Sequence, residues 1–118
     1  GDGATALTEY GLARHIIEKA QGPDEDDVWE ARLGEALSLE LLGRHGEAAD
    51  ELDRVLAQLE KRKMPAQTIA EAKLGLAQSL RALKRDEPRV VALLNEVKAL
   101  TGPRHEAQRA KAEALLAR

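Results

Sequence analysis

Residues 30–44 and 71–85 of this chain are two copies of one segment. Glu30-Ala31-Arg32-Leu33-Gly34-Glu35-Ala36-Leu37-Ser38-Leu39-Glu40-Leu41-Leu42-Gly43-Arg44 lies over Glu71-Ala72-Lys73-Leu74-Gly75-Leu76-Ala77-Gln78-Ser79-Leu80-Arg81-Ala82-Leu83-Lys84-Arg85 at an offset of 41 residues, and nine of the 15 positions are identical. A repeat of that length has to be a supersecondary unit that stacks on its neighbour, so it narrows the possible folds at once. The repetition extends outward. Leu52, Leu56 and Leu59 fall on Leu93, Val97 and Leu100, spacings that share one helical face. Gly22-Pro23 ahead of the first copy is echoed by Met64-Pro65 and Gly102-Pro103, each Pro standing where a helix is expected to begin.

Charged residues make up 33% of the chain, interleaved with Ala and Leu, which suits amphipathic helices and leaves few strand formers. The periodicity predicts an all-α chain of about six helices, over residues 4–21, 25–43, 46–62, 66–84, 87–101 and 104–117. The short linkers make successive helices antiparallel neighbours. In 46–62 the apolar positions Ala48, Ala49, Leu52, Val55, Leu56 and Leu59 form one face. In 25–43, Leu33, Leu37 and Leu41 form one stripe while Leu39 and Leu42 form another, so this helix is expected to be packed on two sides.

Several function classes find no support. There is no Cys, hence no disulfide, thiolate zinc site or cysteine nucleophile. No apolar run of about 18 residues is present to span a membrane, and the first residues do not resemble a signal peptide. A net charge of -3 and only two aromatics, Tyr10 and Trp29, argue against nucleic-acid binding. His15, His45 and His105 form no metal-ligand spacing and read as surface residues. Asp24-Glu25-Asp26-Asp27 could bind a cation, but lacks the calcium-loop pattern and better suits a helix N-terminus. Lys61-Arg62-Lys63 reads as a solvated helix end rather than a patch for an acidic partner. Ser38 and Ser79 occupy equivalent mid-helix positions, with hydroxyls expected to bond back to their own helix. No serine sits in a nucleophile elbow and no glycine-rich loop cradles phosphate, so no enzyme, metal or cofactor is expected. Trp29 is expected to fill the gap between helices 4–21 and 25–43 near Tyr10, with a binding anchor as the alternative.

Gly43-x-x-x-Glu47-Ala48-x-x-x-Leu52, preceded by Ala36 and Leu39, resembles the second half of a tetratricopeptide repeat. The 41-residue period and the Gly22-Pro23-Asp24 junction look like the long variant found in kinesin light chains and in many bacterial proteins. The resemblance covers roughly residues 5–118. It implies a single domain, a right-handed α-solenoid of antiparallel hairpins. Helix 4–21 stands alone, hairpins 25–62 and 66–101 follow, and 104–117 forms a polar cap. It also implies a protein-protein interaction module, a scaffold or adaptor in the cytoplasm, such as the C-terminal regulatory part of a larger bacterial signalling protein. The second copy departs from the pattern at Lys84, where the first has Gly43.

The resemblance places binding of a peptide or helix on the concave face, lined by the first helix of each hairpin. Glu30, Leu33, Leu37, Glu40 and Leu41 would point there, with Glu71, Leu74, Gln78 and Arg81 as counterparts. The groove lacks the Lys/Arg cluster of a carboxylate clamp. The alternative is self-association. Helix 4–21 carries Leu7, Tyr10, Leu12, Ala13, Ile16 and Ile17, more than one neighbour covers. Leu7, Tyr10, Ile16 and Ile17 are therefore the candidate contacts of a homodimer or of a missing upstream repeat.

Overall fold

The computed structural model describes residues 2–118. They form six α-helices: α1 (Asp2–Gln21), α2 (Asp26–Leu41), α3 (His45–Lys61), α4 (Ala66–Ala82), α5 (Glu87–Lys98) and α6 (Glu106–Leu116), with a 3₁₀ turn over Pro103–His105 ahead of α6. There is no strand among the described residues. Each helix packs on the next in the chain, α2 also touches α4, and α4 touches α6. No helix among the described residues is long and apolar enough to cross a membrane.

Burial follows the apolar periodicity. α3 buries Ala48, Ala49, Leu52, Val55, Leu56 and Leu59 and leaves its other face to solvent. α2 lies between α1, α3 and α4. It buries Val28, Trp29, Ala31, Leu33, Gly34, Ala36, Ser38 and Leu39, residues spread around most of its circumference. α4 repeats this with Ala70, Ala72, Leu74, Gly75, Leu76, Ala77, Ser79 and Leu80. The two terminal helices differ. α1 buries no residue. α6 buries only Ala112 and Leu115.

Helix ends depart from the sequence expectation by up to three residues. α5 stops at Lys98 rather than 101, because the Leu100 N–H closes back on the Val97 carbonyl and Gly102 then turns the chain at φ +94°. Pro23 does not open a helix. It precedes Glu25, the N-cap of α2, while Pro65 is the N-cap of α4 and Pro103 opens the 3₁₀ turn.

The hairpin turns share one geometry. After α2 the Arg44 N–H bonds to the Leu39 carbonyl at 2.9 Å, with Gly43 left-handed at φ +76°. After α4 the Arg85 N–H bonds to the Leu80 carbonyl at 2.9 Å, with Lys84 at φ +54°. The Met64 N–H to Leu59 carbonyl bond after α3, with Lys63 at φ +55°, is a third instance. This is the left-handed C-terminal cap that favours glycine. Lys84 therefore adopts the conformation expected of Gly43 at a local steric cost of about 1–2 kcal/mol. Lys84→Gly is expected to stabilise the fold by about 0.5–1 kcal/mol, once the entropy of glycine in the unfolded chain is subtracted. A thermal melt should rise by about 2–4 °C. A fall in the midpoint would contradict the turn geometry.

Two glycines permit close helix approach. A Cβ on Gly75 would meet Leu37 Cδ2 at 2.5 Å and Leu52 Cδ1 at 3.2 Å, so Gly75 sets the spacing of α2 and α4. A Cβ on Gly34, its counterpart in the first copy, would lie 2.4 Å from the Tyr10 ring, which rests on the bare backbone of α2.

Candidate binding groove

A groove of about 440 Å³ lies between α1, α2 and α4. α1 contributes Tyr10, Ala13 and Ile17, at the spacing of one helical face. α2 contributes Asp27, Glu30, Ala31, Leu33, Gly34 and Leu37, and α4 contributes Thr68 and Glu71. Thr68 and Glu71 are the repeat equivalents of Asp27 and Glu30, one helical turn apart in each copy. The 41-residue offset therefore brings matching positions of two helices to one surface. Leu33 is almost wholly buried and forms floor, Leu37 is half-buried, and the three carboxylates are exposed.

Of the residues assigned to a groove from sequence, Glu30, Leu33, Leu37 and Glu71 line this one. The others lie elsewhere. Leu74 is buried in the core, and Gln78 is half-buried outside the groove lining. Leu41 ends α2 with 77% of its surface exposed, beside the Gly3 backbone at the start of α1.

Glu40 joins three helices. The Ser79 hydroxyl donates to its Oε2 at 2.9 Å, and His45 Nδ1 donates to the same oxygen at 2.6 Å. Ser38 bonds back to the Gly34 carbonyl at 2.8 Å as expected, but Ser79 does not follow its twin, because a carboxylate from α2 is within reach. His45 is correspondingly half-buried rather than a free surface residue. Arg81 is also committed. It clasps Glu87 with bonds of 2.9 and 3.2 Å and donates to the Leu115 carbonyl, tying α4 to α5 and α6. The guanidinium holds the Glu87 carboxyl below the usual carboxylate range.

The residues considered for self-association divide. Tyr10 and Ile17 face the groove, and Leu7 packs against the core. Ile16 points outward at 65% exposure, next to Leu12 at 60%.

Trp29 is buried, and its cover is guanidinium. Arg32 lies 4.6 Å and Arg62 5.6 Å from the ring centroid, while the indole N–H donates to Asp24 at 3.2 Å. Arg62 in turn bonds Asp24 at 2.5 Å and Asp26 at 3.0 Å. The acidic run at the start of α2 and the basic run at the end of α3 thus supply two halves of one clasp over Trp29, which neither run discloses by itself.

The cations near the groove are turned away from it. Arg14 of α1 bonds Glu35 at 2.5 Å and Glu18 at 2.9 Å, and those bonds, Glu35 first, push its pKa further up. Arg32 pairs with Glu51 of α3 at 3.1 Å. Both lie on the opposite side of α2, around a separate hollow lined by Leu7, Arg14, Arg32, Glu35, Leu39 and Glu51. No Lys or Arg lines the groove. Among the described residues no cluster of His, Asp and Glu has the grouping to hold a metal ion. No family model, no curated protein and no solved structure matches this chain.

Proposed function

We propose that this chain is a protein-binding module, a short right-handed array of tetratricopeptide-like hairpins whose groove between α1, α2 and α4 receives a peptide or helix. The observation that carries the reading is the groove itself. It has an apolar floor at Leu33 and Leu37, an aromatic edge at Tyr10, and exposed carboxylates that form no ion pair among the described residues. A few apolar anchors bordered by polar groups are what helix-in-groove recognition uses. The array reading is supported by the 41-residue repeat, by packing in chain order, by the α2–α4 and α4–α6 contacts, and by an elongated body of 43 × 29 × 23 Å.

Selection of a random peptide library on the protein, followed by amide chemical-shift mapping of the winner, tests this. Shifts centred on Glu30, Leu37 and Glu71 support the reading. Shifts confined to the outer faces of α3 or α5 would overturn it.

Self-association through α1 is the second reading. Leu12 and Ile16, one turn apart, are exposed on a helix whose residues are at most partly buried. Light scattering over a concentration range separates the two readings. A strict monomer at high concentration eliminates self-association. A dimer that Ile16→Asp converts to monomers supports it.

A further inference from the structure

We infer that the groove's occupant is cationic: a peptide or helix with one apolar side chain flanked by Lys or Arg. The inference deepens the groove-binding reading and rests on it.

The charge distribution on α2 carries the argument. Glu35, Glu40 and the neighbouring Glu51 are bound to Arg14, to Ser79 and His45, and to Arg32. Asp27, Glu30 and Glu71 are exposed, and none of them takes part in an ion pair among the described residues. The carboxylates on one side of α2 are therefore partnered within the fold, while the groove between α2 and α4 keeps three unpaired carboxylates over a floor of low polarity. Charges of one sign above low-dielectric walls focus their field and draw the opposite sign. Asp27 contributes least, because it sits in the first turn of α2, where the helix dipole offsets a negative charge. Glu30 and Glu71, further along their helices and equivalent by the repeat, carry most of the field.

The aromatic edge points the same way. Among the described residues the two cation–π contacts both fall on Trp29. Tyr10 rests one side of its ring on Gly34, keeps 43% of its surface exposed, and borders the groove. An arriving guanidinium can stack there as Arg32 does on Trp29. A volume of about 440 Å³ accommodates the few side chains of such a segment, not a folded domain.

The test uses a fluorescein-labelled helical peptide of Lys and Leu, and its counterpart with Glu in place of Lys, measured by anisotropy on the full chain. Glu30→Gln with Glu71→Gln removes two of the three groove charges without changing shape, and both positions are exposed, so folding is preserved. Glu106→Gln with Glu113→Gln, exposed on α6, removes the same net charge outside the groove lining.

The Lys/Leu peptide is expected to bind, to lose affinity as salt rises, and to lose about tenfold with the groove double variant and nothing with the α6 variant. Equal loss with both variants, or with neither, overturns the inference. Binding of the Glu/Leu peptide with shifts at groove amides overturns it as well, yet leaves the groove-binding reading standing. If neither peptide binds, the cationic occupant is excluded. The groove reading then falls only if library-selected peptides also leave the groove amides unmoved.

Discussion

Trp29→Ala is expected to lower the free energy of unfolding by about 3 kcal/mol, the low end of what truncating a buried aromatic costs. The low end applies because the ring is roofed by guanidiniums, which can settle into the space or return to water, rather than by rigid core. Three losses combine. The indole surface is 7% exposed in the fold, its N–H bond to Asp24 disappears, and Arg32 and Arg62 lose their stacking partner. Arg62 links the start of α2 to the end of α3, so the whole first hairpin loosens. Against a total of about 5–15 kcal/mol for a domain, this is a large share. Trp29→Phe keeps most of the packing and is expected to cost about 1 kcal/mol, the worth of the hydrogen bond. Urea denaturation followed by far-ultraviolet circular dichroism measures both, since tryptophan fluorescence is lost with the residue. A cost under about 1 kcal/mol for Trp29→Ala would show that the clasp does not hold the hairpin closed.

Gly75→Leu acts through crowding rather than loss. Glycine inside a helix costs about 1 kcal/mol relative to a good helix former, so by propensity alone this change stabilises. Packing opposes it. A Cβ alone already meets Leu37 Cδ2 at 2.5 Å and Leu52 Cδ1 at 3.2 Å. Leu37 can swing into the groove, but Leu52 is fully buried and has nowhere to go. Forcing extra carbons into such a site typically costs about 1–3 kcal/mol and sometimes more, so the net expectation is a loss of about 2 kcal/mol. Gly46→Ala is the matched control. Nothing lies within 4 Å of that Cβ position, and a gain of about 0.5 kcal/mol is expected. The two changes should therefore move the denaturation midpoint in opposite directions. If Gly75→Leu is as stable as the parent, α2 and α4 do not cross as closely as described.

Sequence disclosed what depends on near neighbours along a helix. The buried face of α3 was readable residue by residue, and packing of α2 on more than one side was expected, but of its two apolar stripes only Leu33 and Leu39 are buried, while Leu41 and Leu42 are exposed at the helix end. Both expectations are consequences of the helical repeat, and no knowledge of the partner helix is needed. The polar network was not readable. Whether Glu40 faces a groove or meets Ser79 depends on the register of α4 against α2, set by side chains 39 positions away. Arg81 was placed in the groove by analogy with its repeat position, yet Glu87 and the end of α6 hold it. The repeat itself carries a further signal. Asp27 and Thr68 lie one turn before Glu30 and Glu71, and extending the matched pairs by one turn finds them. The left-handed turn at Lys84 was hidden for a different reason. Lysine pays a steric penalty there that glycine does not, and residue identity alone predicts against it.

α1 supplies one wall of the groove and buries none of its residues. As a terminal helix that packs mainly on α2, it can open locally at less than the global unfolding free energy. Each such opening carries Tyr10, Ala13 and Ile17 away and abolishes the groove, while α2 to α5 stay folded around their own core. Docking of α1 and binding of an occupant are consequently one linked equilibrium. The observed Kd is weakened by the fraction of time the helix is undocked, and saturation with ligand holds it shut. Affinity can then be tuned at positions that never touch the ligand, such as the Arg14–Glu35 bond on the far side of α2.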